Sequence, residues 1–515
     1  MQVRAMFKRS MQSMSTEKPD PNDPSNVSLA YEFMAPKWAK VRAILGGTDG
    51  MRAAGPDYLP QHDGESDISY RERLGKSVLF NATELTVNHW VGKPFSEPVK
   101  INNDVPENIK DNLLEDIDLQ GNNIDVFARN WFKDGVSKAF SHVLVEFSRP
   151  RNTEQEEGRR RTLEDDRVEN VRPYWVHIQP ENLISATMEI QNGKEVLTEI
   201  RIMQEVVEKQ GFLEVVIPQI RVQTQTQVTL YRPHPTKKKN GKPVWEIFEM
   251  TPIDLGVIPL ITFYSDRDGF MMGKPPIEDL VDLNIAHWQS MSDQIAVLTV
   301  ARFPILALSG GDDDESKPLK IGPRQVLFTP DPQGRYYYVE HTGSAIEAGR
   351  KHLEDLEDQM SEYGAEFLKQ RPGSSTATAR ALDSAEATSP LQDAVIRFTD
   401  AVNQALAITA QWLRIEEGGT VEVNRQFGMD EVSVADLTAL KDARQRRDIS
   451  RARYLDELHR RGVLSDEFDF DENLVELENE ASEILGQTSL DIDPGQEDND
   501  DDENNPGGEA SNSQG

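Results

Sequence analysis

Hydrophobic residues recur three and four positions apart over most of the region from residue 27 to about 135. Residues that carry this spacing include Ile68, Leu79, Leu85 and Trp90. Side chains three and four apart share one face of an α-helix, so the pattern predicts that this first part is mainly helical. The preceding residues, 1–26, are polar and rich in proline, and we expect them to form a disordered arm.

Between about residues 141 and 265 the hydrophobic period shortens to two. Six short apolar segments are separated by turn residues: HVLVEFSR, YWVHI, FLEVVIPQI, QVTLYRP, VWEIFEM and LITFYS. Alternation of this kind is typical of strands with one buried face, so we expect an antiparallel sheet. Asn240 and Gly241 mark a hairpin turn with a basic tip at 237–239. The tip is either a solvated loop or a contact for a partner.

The segment that follows has the signals of an abrupt helix start. Pro275 and Pro276 are suited to the first turn of a helix, because backbone N–H groups in that turn have no partner within the helix and proline lacks this group. The acidic residues just after them interact favourably with the positive end of the helix dipole. The helical period then separates two stripes. The apolar stripe contains Leu280, Leu283, His287, Met291, Ile295 and Leu298. The polar stripe contains Glu278, Asp282, Gln289 and Asp293. It extends too far along the helix to be explained by capping alone.

A second long helix is predicted from residue 344 to 370. Its apolar residues keep a three-then-four spacing over three heptads, which is typical of a helix packed lengthwise against a neighbour. They are Ile346, Gly349, Leu353, Leu356, Met360, Tyr363 and Phe367. Acidic residues repeat every fourth position on the other side: Glu354, Asp358, Glu362 and Glu366. Like charges at this spacing cost an isolated helix about 0.2–0.5 kcal/mol per pair. These acidic residues are either retained for a role other than helix stability, or they form a solvated face of the helix.

Turn-rich and helical patterns alternate in the other C-terminal segments. Residues 302–343 predict short strands joined by turns, and 370–376 predict a flexible loop of glycine and serine. A very long helix follows, in which we expect a kink at Pro390. A charge-rich helical region comes next. The last residues, 489–515, form an acidic segment that we expect to be disordered.

The length of 515 residues exceeds what one hydrophobic core usually serves, so we expect two or more domains. Hydrophobic residues make up only 37% of the chain and charged residues 28%, which favours large polar surfaces or subunit contacts. Together with the patterns above, this composition predicts an elongated α+β protein that is mostly helical. The formal net charge of -33 disfavours simple nucleic-acid binding, because lysine and arginine are what hold phosphate.

The chain has no cysteine, which excludes disulfides, cysteine-ligated zinc and thiol catalysis. Neither a secretory signal nor an apolar segment of membrane-spanning length is visible. We therefore expect a soluble intracellular product without a membrane partner.

Motifs for catalysis or cofactor binding are incomplete. Residues 269–275 and 70–77 resemble phosphate loops, but the first has the wrong spacing and the second lacks the first glycine. Neither a His-Glu-x-x-His pair nor a Gly-x-Ser-x-Gly elbow occurs. Asp266, Asp268 and the run 312–315 have the oxygen ligands that a hard cation prefers, but a surface turn is the simpler interpretation. We predict no enzyme activity, no cofactor and no metal site.

The order of these elements resembles the portal proteins of tailed bacteriophages. The local sequence is also similar to an otherwise uncharacterised family of phage portal-like proteins. The similarity lies in AAGPDYLPQHDGESDISYRERL, TVNHWVGKPF, GKPPIEDLVDLNIAH and GSSTATARALDSAEATSPLQ. It spans about residues 27–485, and the succession of elements carries as much weight as any one motif.

The resemblance implies a portal-type elongated subunit with named parts. These are a wing at 27–275, stem helices at 276–301 and 344–369, a small β-containing clip at 302–343, a tunnel loop at 370–376, a long kinked wing helix at 377–425 and a helical crown at 426–488. Such subunits assemble as rings of twelve around a channel at one capsid vertex, through which double-stranded DNA is packaged and ejected.

The resemblance also implies partners and a location. The partners are further copies of this chain, the major capsid and scaffolding proteins, the large terminase and the head-to-tail adaptor. Double-stranded DNA passes through the ring without sequence-specific binding. The protein would be assembled in the host cytoplasm and would reside in the virion.

A DNA channel benefits from acidic walls, because each phosphate held by lysine or arginine would slow passage. We therefore hypothesise an acidic channel or stem surface formed by Glu278, Asp282, Asp293, Glu354, Asp358 and Glu362. The residues expected to pack the stem are Leu280, Leu283, Met291, Leu353, Leu356 and Met360. Lys369 and Arg371 either contact DNA phosphate at the tunnel loop or balance the helix C-terminus. The sequence does not show which stem helix faces the channel.

Two other function classes remain open. An enzyme acting on acidic or nucleic substrates would need a convergent set of catalytic residues that the sequence does not reveal. An acidic scaffold or interaction protein of a phage head would form monomers or dimers in place of a closed ring.

Overall fold

The structure is a computed structural model. It describes residues 20–148, 169–239, 241–301, 305–309, 332–339, 343–363, 377–425, 434–460, 463–464 and 473–477. The chain divides into two compact units, Met1–Phe427 and Gly428–Gly515, called unit 1 and unit 2 below. Most of the predicted arm, the predicted tunnel loop and the acidic C-terminal segment lie outside the described residues. Helices and strands are both abundant, as expected of the α+β class.

The first part of unit 1 is helical, as predicted. Its helices are α1 (Leu29–Leu45), α2 (Gly47–Ala54), α3 (Asp67–Lys76), α4 (Ala82–Gly92), α5 (Glu107–Asn112) and α6 (Ile124–Lys138). The side chains of Ser28, Asn81 and Asn123 cap α1, α4 and α6 by accepting a hydrogen bond from a backbone N–H three residues later. A short strand, β1 (Lys100–Ile101), lies between α4 and α5.

The six predicted antiparallel segments are strands, and two further strands were not predicted, at residues 183–191 and 194–210. The eight strands are β2 (Phe140–Phe147), β3 (Pro173–Ile178), β4 (Leu183–Gln191), β5 (Lys194–Gln210), β6 (Leu213–Thr224), β7 (Gln227–Lys239), β8 (Lys242–Pro252) and β9 (Leu260–Tyr264). They form two sheets, a three-stranded one in the order β3-β2-β9 and a five-stranded meander from β4 to β8. Lys239 pairs with Lys242, and Gly241 has a φ of 77°, which confirms the predicted hairpin turn.

The last part of unit 1 contains α7 (Glu278–Ala301), β10 (Ile305–Ser309), β11 (Arg335–Val339), α8 (Gly343–Tyr363), α9 (Ala377–Leu413) and β12 (Val421–Glu422). The helix predicted from residue 276 is confirmed, and so is the second helix as far as it is described. Strands β10 and β11 pair antiparallel, as the turn-rich pattern predicts. The α9 helix continues through Pro390. Strand β12 pairs with β1, so two short segments far apart in sequence form a sheet of their own.

The main core of unit 1 lies where α6 and α9 pack against the three-stranded sheet. Fully buried aromatic side chains meet there: the Phe263 and Phe398 ring centroids are 5.0 Å apart, and those of Phe132 and Phe263 are 5.6 Å apart. Trp131 lies 5.1 Å from Phe398 in an edge-to-face arrangement. This core joins the beginning, middle and end of the unit.

Unit 2 contains two packed helices, α10 (Val434–Gln445) and α11 (Arg451–Arg460). The helix α10 is followed by a left-handed residue, Arg447, with a φ of 64°. The backbone N–H of Asp448 donates to the carbonyl of Ala443 at 2.9 Å, which closes the helix end as in a Schellman motif.

Candidate functional site

The helices α7 and α8 pack side by side in antiparallel orientation. Leu280, near the start of α7, shares an apolar cluster with Met360, near the end of α8. At the other end of the pair, Gln294 donates to the carbonyl of Ile346 at 2.9 Å. The three-then-four spacing of apolar residues in α8 predicts such lengthwise packing.

Most residues expected to pack these helices are buried. Buried side chains are Leu280, Leu353, Leu356 and Met360, and partly buried ones are Leu283 and Met291. Ala82 of α4 belongs to the same cluster as Leu280 and Met360. The helix pair therefore packs against the helical first part of unit 1 as well as along its own seam.

The polar stripe at the start of α7 faces basic residues of α1. Nζ of Lys37 lies 2.9 Å from Oε2 of Glu278, and Nζ of Lys40 lies 2.6 Å from Oδ1 of Asp282. The two lysines are three residues apart on α1 and match carboxylates four residues apart on α7. Partly exposed pairs of this kind contribute about 0–1 kcal/mol each. Their main effect is to orient α7 against α1.

The rest of the stripe is docked in the same way. Gln289 donates to the carbonyl of Tyr58 at 3.0 Å. Oδ1 of Asp293 lies 3.1 Å from Nε2 of His62 and 3.7 Å from Nη1 of Arg73. Arg73 is buried and also pairs with Glu65. The hydrogen bond from Arg73 lowers the pKa of Glu65 to about 2. All four polar positions of the stripe thus have partners within unit 1. Sequence reasoning missed these partners because Lys37, for example, precedes Glu278 by 241 residues.

The carboxylates of α8 lie on its exposed side. Glu354 pairs with Arg350 one turn earlier on the same helix. Asp358 and Glu362 are exposed. The charges of Glu354, Asp358 and Glu362 are therefore directed away from the seam, whereas the acidic residues of the α7 stripe pair with side chains of α1, α3 and the segment before α3. Lys369, Arg371 and most of the predicted clip lie outside the described residues.

His287 lies in the seam between the two helices, fully buried. Its ring centroid is 5.4 Å from that of Phe80, and its Nε2 is 3.3 Å from Oε1 of Glu357. Burial lowers the pKa of His287, and the nearby Glu357 offsets part of that shift. The shift favours the neutral imidazole, and the histidine packs as part of the apolar face of α7.

A second group of ionisable side chains lies where α6 meets the three-stranded sheet. Nζ of Lys138 lies 2.7 Å from Oδ1 of Asp134 and 2.8 Å from Oε2 of Glu181. Oγ of Ser141 lies 3.0 Å from Oδ2 of Asp134 and 2.8 Å from Nε2 of His177. The sequence does not reveal this group, because its members come from a helix, two strands and a turn.

The contact of a serine, a histidine and an aspartate raises the question of nucleophilic chemistry. In a catalytic triad the carboxylate holds one imidazole nitrogen while the other nitrogen activates the serine. Here Asp134 and Ser141 approach the same nitrogen, at 3.5 and 2.8 Å, and Ser141 is fully buried. Burial alone would raise the pKa of Asp134, but His177 and Lys138 outweigh it and lower the pKa. The geometry fits a buried ion network that ties α6 to the sheet.

Lowering the pH from 7 to 5 is expected to destabilise unit 1 through His142. This β2 residue is fully buried, its Nδ1 lies 2.9 Å from Oγ1 of Thr262, and burial lowers its pKa to about 3. Below pH 6.5 the unfolded chain binds a proton at this histidine and the folded chain does not. Stability is therefore retained above pH 6.5 and falls toward pH 3, by up to about 1.4 kcal/mol per pH unit. Urea unfolding at pH 7 and pH 5 measures the difference.

The matched variants for this prediction are His142→Gln and, at an exposed position of α8, His352→Gln. The first removes the buried titration and should reduce the loss of stability between pH 7 and pH 5. The second changes an exposed histidine and should leave that loss unchanged. Equal pH sensitivity of the wild type and His142→Gln would contradict the assignment.

Among the described residues, no group of three histidine, aspartate or glutamate side chains has the arrangement needed to hold a metal ion. Within the same residues, no helix has both the length and the apolar character needed to cross a membrane.

Comparison with known proteins gives one family match. Residues 276–413 match a family described as a domain of unknown function, DUF4055. No curated protein matches the chain significantly. The family match covers α7, α8 and α9, and hence every carboxylate of the hypothesised acidic surface.

Several solved structures resemble the chain at low sequence identity. A chain in the neck of the native GTA particle, computed with C12 symmetry, is 11% identical, with 72% of this chain and 88% of that chain covered and a TM-score of 0.38. A chain in the neck of the empty GTA particle, computed with C6 symmetry, is 10% identical, with 74% and 89% covered and a TM-score of 0.37. A chain in the virion of the native gene transfer agent (GTA) particle is 11% identical, with 77% and 93% covered and a TM-score of 0.35.

Proposed function

We propose that this chain is the subunit of a phage portal, a closed ring at one capsid vertex through which double-stranded DNA passes during packaging and ejection. The order of elements and the four similar sequence segments described above support the portal family. In this role the ring binds major capsid and scaffolding proteins in the head. It docks the large terminase and later the head-to-tail adaptor through the region that contains β10 and β11.

The observation that carries the proposal is the antiparallel pair of α7 and α8 with a β insertion between them. Buried apolar side chains line the seam of the pair, and acidic side chains lie on the exposed side of α8. Two long helices that run out to a small β element and back have the form of a stem with a clip at its end.

The contacts of the carboxylates support the proposal that α8 lies on the channel side. Glu278, Asp282 and Asp293 pair with cations outside the α7–α8 pair, which hold them against the helical first part of unit 1, whereas Glu354 pairs within α8 and, like Asp358 and Glu362, is exposed. Glu354, Asp358 and Glu362 follow one another at intervals of about 6 Å along the helix axis. Repeated around a ring, this row forms an acidic wall. Duplex DNA carries one negative charge per about 1.7 Å of its length, and such a wall keeps it from adhering.

Electron microscopy of the purified protein tests the ring. We expect closed rings with a central opening, and mass photometry should show one dominant mass that is a multiple of the 58.1 kDa chain. A preparation that contains only monomers or dimers under all ionic conditions would contradict the proposal. It would favour an acidic interaction protein of a phage head without a DNA channel.

Neutralising the α8 carboxylates tests the channel assignment separately. The triple variant Glu354→Gln, Asp358→Asn and Glu362→Gln should still form rings but should retain a short DNA duplex about tenfold more tightly, equivalent to about 1.4 kcal/mol. The matched control, Glu195→Gln, Glu214→Gln and Asp254→Asn, removes the same charge from exposed positions of the five-stranded sheet region. Equal DNA retention by the two variants would refute the assignment to α8.

A further inference from the structure

The turn between α10 and α11 in unit 2 concentrates positive charge in an otherwise acidic chain. The two ends of α10 and α11 that meet at the turn, together with that turn, carry Lys441, Arg444, Arg446, Arg447, Arg451 and Arg453. The whole chain has a net charge of -33, so this density of cations is a local departure from the general composition. Asp442 and Asp448 are the acidic residues between them, and the segment remains positively charged.

Five of these cations form an exposed surface, which we call the basic patch: Lys441, Arg446, Arg447, Arg451 and Arg453. The sixth, Arg444, donates to the carbonyl of Ile449 and holds the turn. In the part of the chain that the structure describes, the side chains of the patch form no ion pair. The lysines of α1 differ, because both pair with carboxylates of α7. The charge of the basic patch is thus available to a ligand.

Helix stability does not account for these residues. Arg451 and Arg453 lie in the first turn of α11, and no acidic residue lies in that turn. Cations at that end oppose the helix dipole at a cost of about 0.3–1 kcal/mol each. Arg447 occupies the left-handed position after α10, where glycine or asparagine is the usual residue. Three arginines therefore occupy positions where local structure favours other residue types.

We propose that the basic patch binds the phosphate backbone of double-stranded DNA without regard to sequence. Several exposed cations around one turn match the repeated charges of a duplex, and binding of this kind depends on charge number more than on shape. The choice of DNA as the polyanion rests on the proposed function, whereas the patch itself does not depend on ring formation. The acidic α8 surface repels DNA, and the basic patch retains it.

Fluorescence anisotropy with a short labelled duplex of mixed sequence tests this inference on the full chain. Binding by the wild type should weaken steeply as NaCl rises from about 50 to 200 mM. The quadruple variant Lys441→Gln, Arg446→Gln, Arg451→Gln and Arg453→Gln should bind at least tenfold more weakly at low salt. The slope of log affinity against log salt should fall by about 0.9 for each cation that contacts a phosphate. Arg447 is left unchanged because of its left-handed backbone.

A control variant with the same change in net charge separates local binding from general electrostatics. Arg71→Gln, Lys76→Gln, Arg129→Gln and Lys238→Gln alter exposed cations of unit 1 and should leave the affinity and the salt slope nearly unchanged. A charge-retaining variant, with Arg446, Arg451 and Arg453 each replaced by lysine, should keep the wild-type slope. It also shows whether loss of binding in the glutamine variant comes from charge or from unfolding.

Three results would overturn the inference. One is a wild type that does not bind the duplex at about 50 mM salt. Another is equal loss of affinity in the two glutamine variants. The third is competition by polyglutamate as effective as competition by DNA of equal charge, which would assign the patch to an acidic protein segment. Imaging of the same preparations shows whether the rings persist, so failure of this inference is distinguishable from failure of the proposed function.

Discussion

Replacing Asn284 by leucine should lower the free energy of unfolding of unit 1 by about 3–5 kcal/mol, since two buried polar groups would lose their partner. Asn284 is fully buried in α7. Its Oδ1 accepts from the backbone N–H of Thr83 at 3.1 Å and from the Thr83 hydroxyl at 3.0 Å. Its Nδ2 donates to the carbonyl of Phe80 at 2.7 Å. The leucine variant keeps the branched shape of the side chain but leaves the N–H and hydroxyl of Thr83 without an acceptor, while the Phe80 carbonyl keeps its bond from the Ala82 N–H. Urea unfolding measures the loss.

Two further variants show whether the loss comes from the Asn284 bonds. Gln289→Leu, on the same helix, removes one partly buried hydrogen bond to Tyr58 and should cost less than about 1 kcal/mol. Thr83→Val removes the Thr83 hydroxyl that donates to Asn284. The effects of Thr83→Val and Asn284→Leu on the free energy of unfolding should therefore be less than additive in the double variant. Additive effects, or a cost of Asn284→Leu no greater than that of Gln289→Leu, would contradict the assigned role.

Replacing Gly135 by alanine should destabilise unit 1 by about 2–3 kcal/mol, because a close-packed core does not accept an added methyl group. Gly135 lies within α6, where alanine would normally stabilise a helix by about 1 kcal/mol. Here a Cβ would overlap the ring of Phe263, which is fully buried and stacks on Phe132. Neither ring can move without disturbing the main core. Thermal or urea unfolding of the variant measures the cost.

Gly75 of α3 provides a matched control for this substitution. A Cβ at Gly75 would meet no atom within 4 Å, and the residue has an ordinary helical backbone. Gly75→Ala should therefore stabilise the protein by about 0.5–1 kcal/mol. The opposite signs of the two substitutions test the packing of α6 against the sheet. Stabilisation by Gly135→Ala would show that α6 is not packed as described.

Local patterns in the sequence predicted most of the secondary structure. The helices α7 and α8, the strands β2, β3 and β6 to β11, and the hairpin at Gly241 all lie where period and turn residues place them. These signals are local because helical and strand periods are read within one segment. Three strands were missed: β1, which is too short to show a period, and β4 and β5, which were not among the predicted segments.

The same patterns predicted the two candidate stripes but not their surroundings. Burial of Leu353, Leu356 and Met360 follows from their spacing, because a helix of this pattern has only one apolar side to pack. The role of the acidic residues did not follow. On the sequence, Glu278 and Glu354 belong to similar stripes, yet only the first pairs with a cation brought to it by the fold from another helix.

The sequence by itself determined most of the segments that form helices and strands, the apolar sides on which α7 and α8 pack and the acidic character of these two helices. Only the tertiary structure decided that Lys37 and Lys40 compensate the α7 stripe, that Asn284 binds the start of α4, and that Gly135 admits Phe263. The physical reason is that helix and strand preferences depend on neighbours a few residues away. Charge compensation and close packing depend on residues that are near in space and remote along the chain.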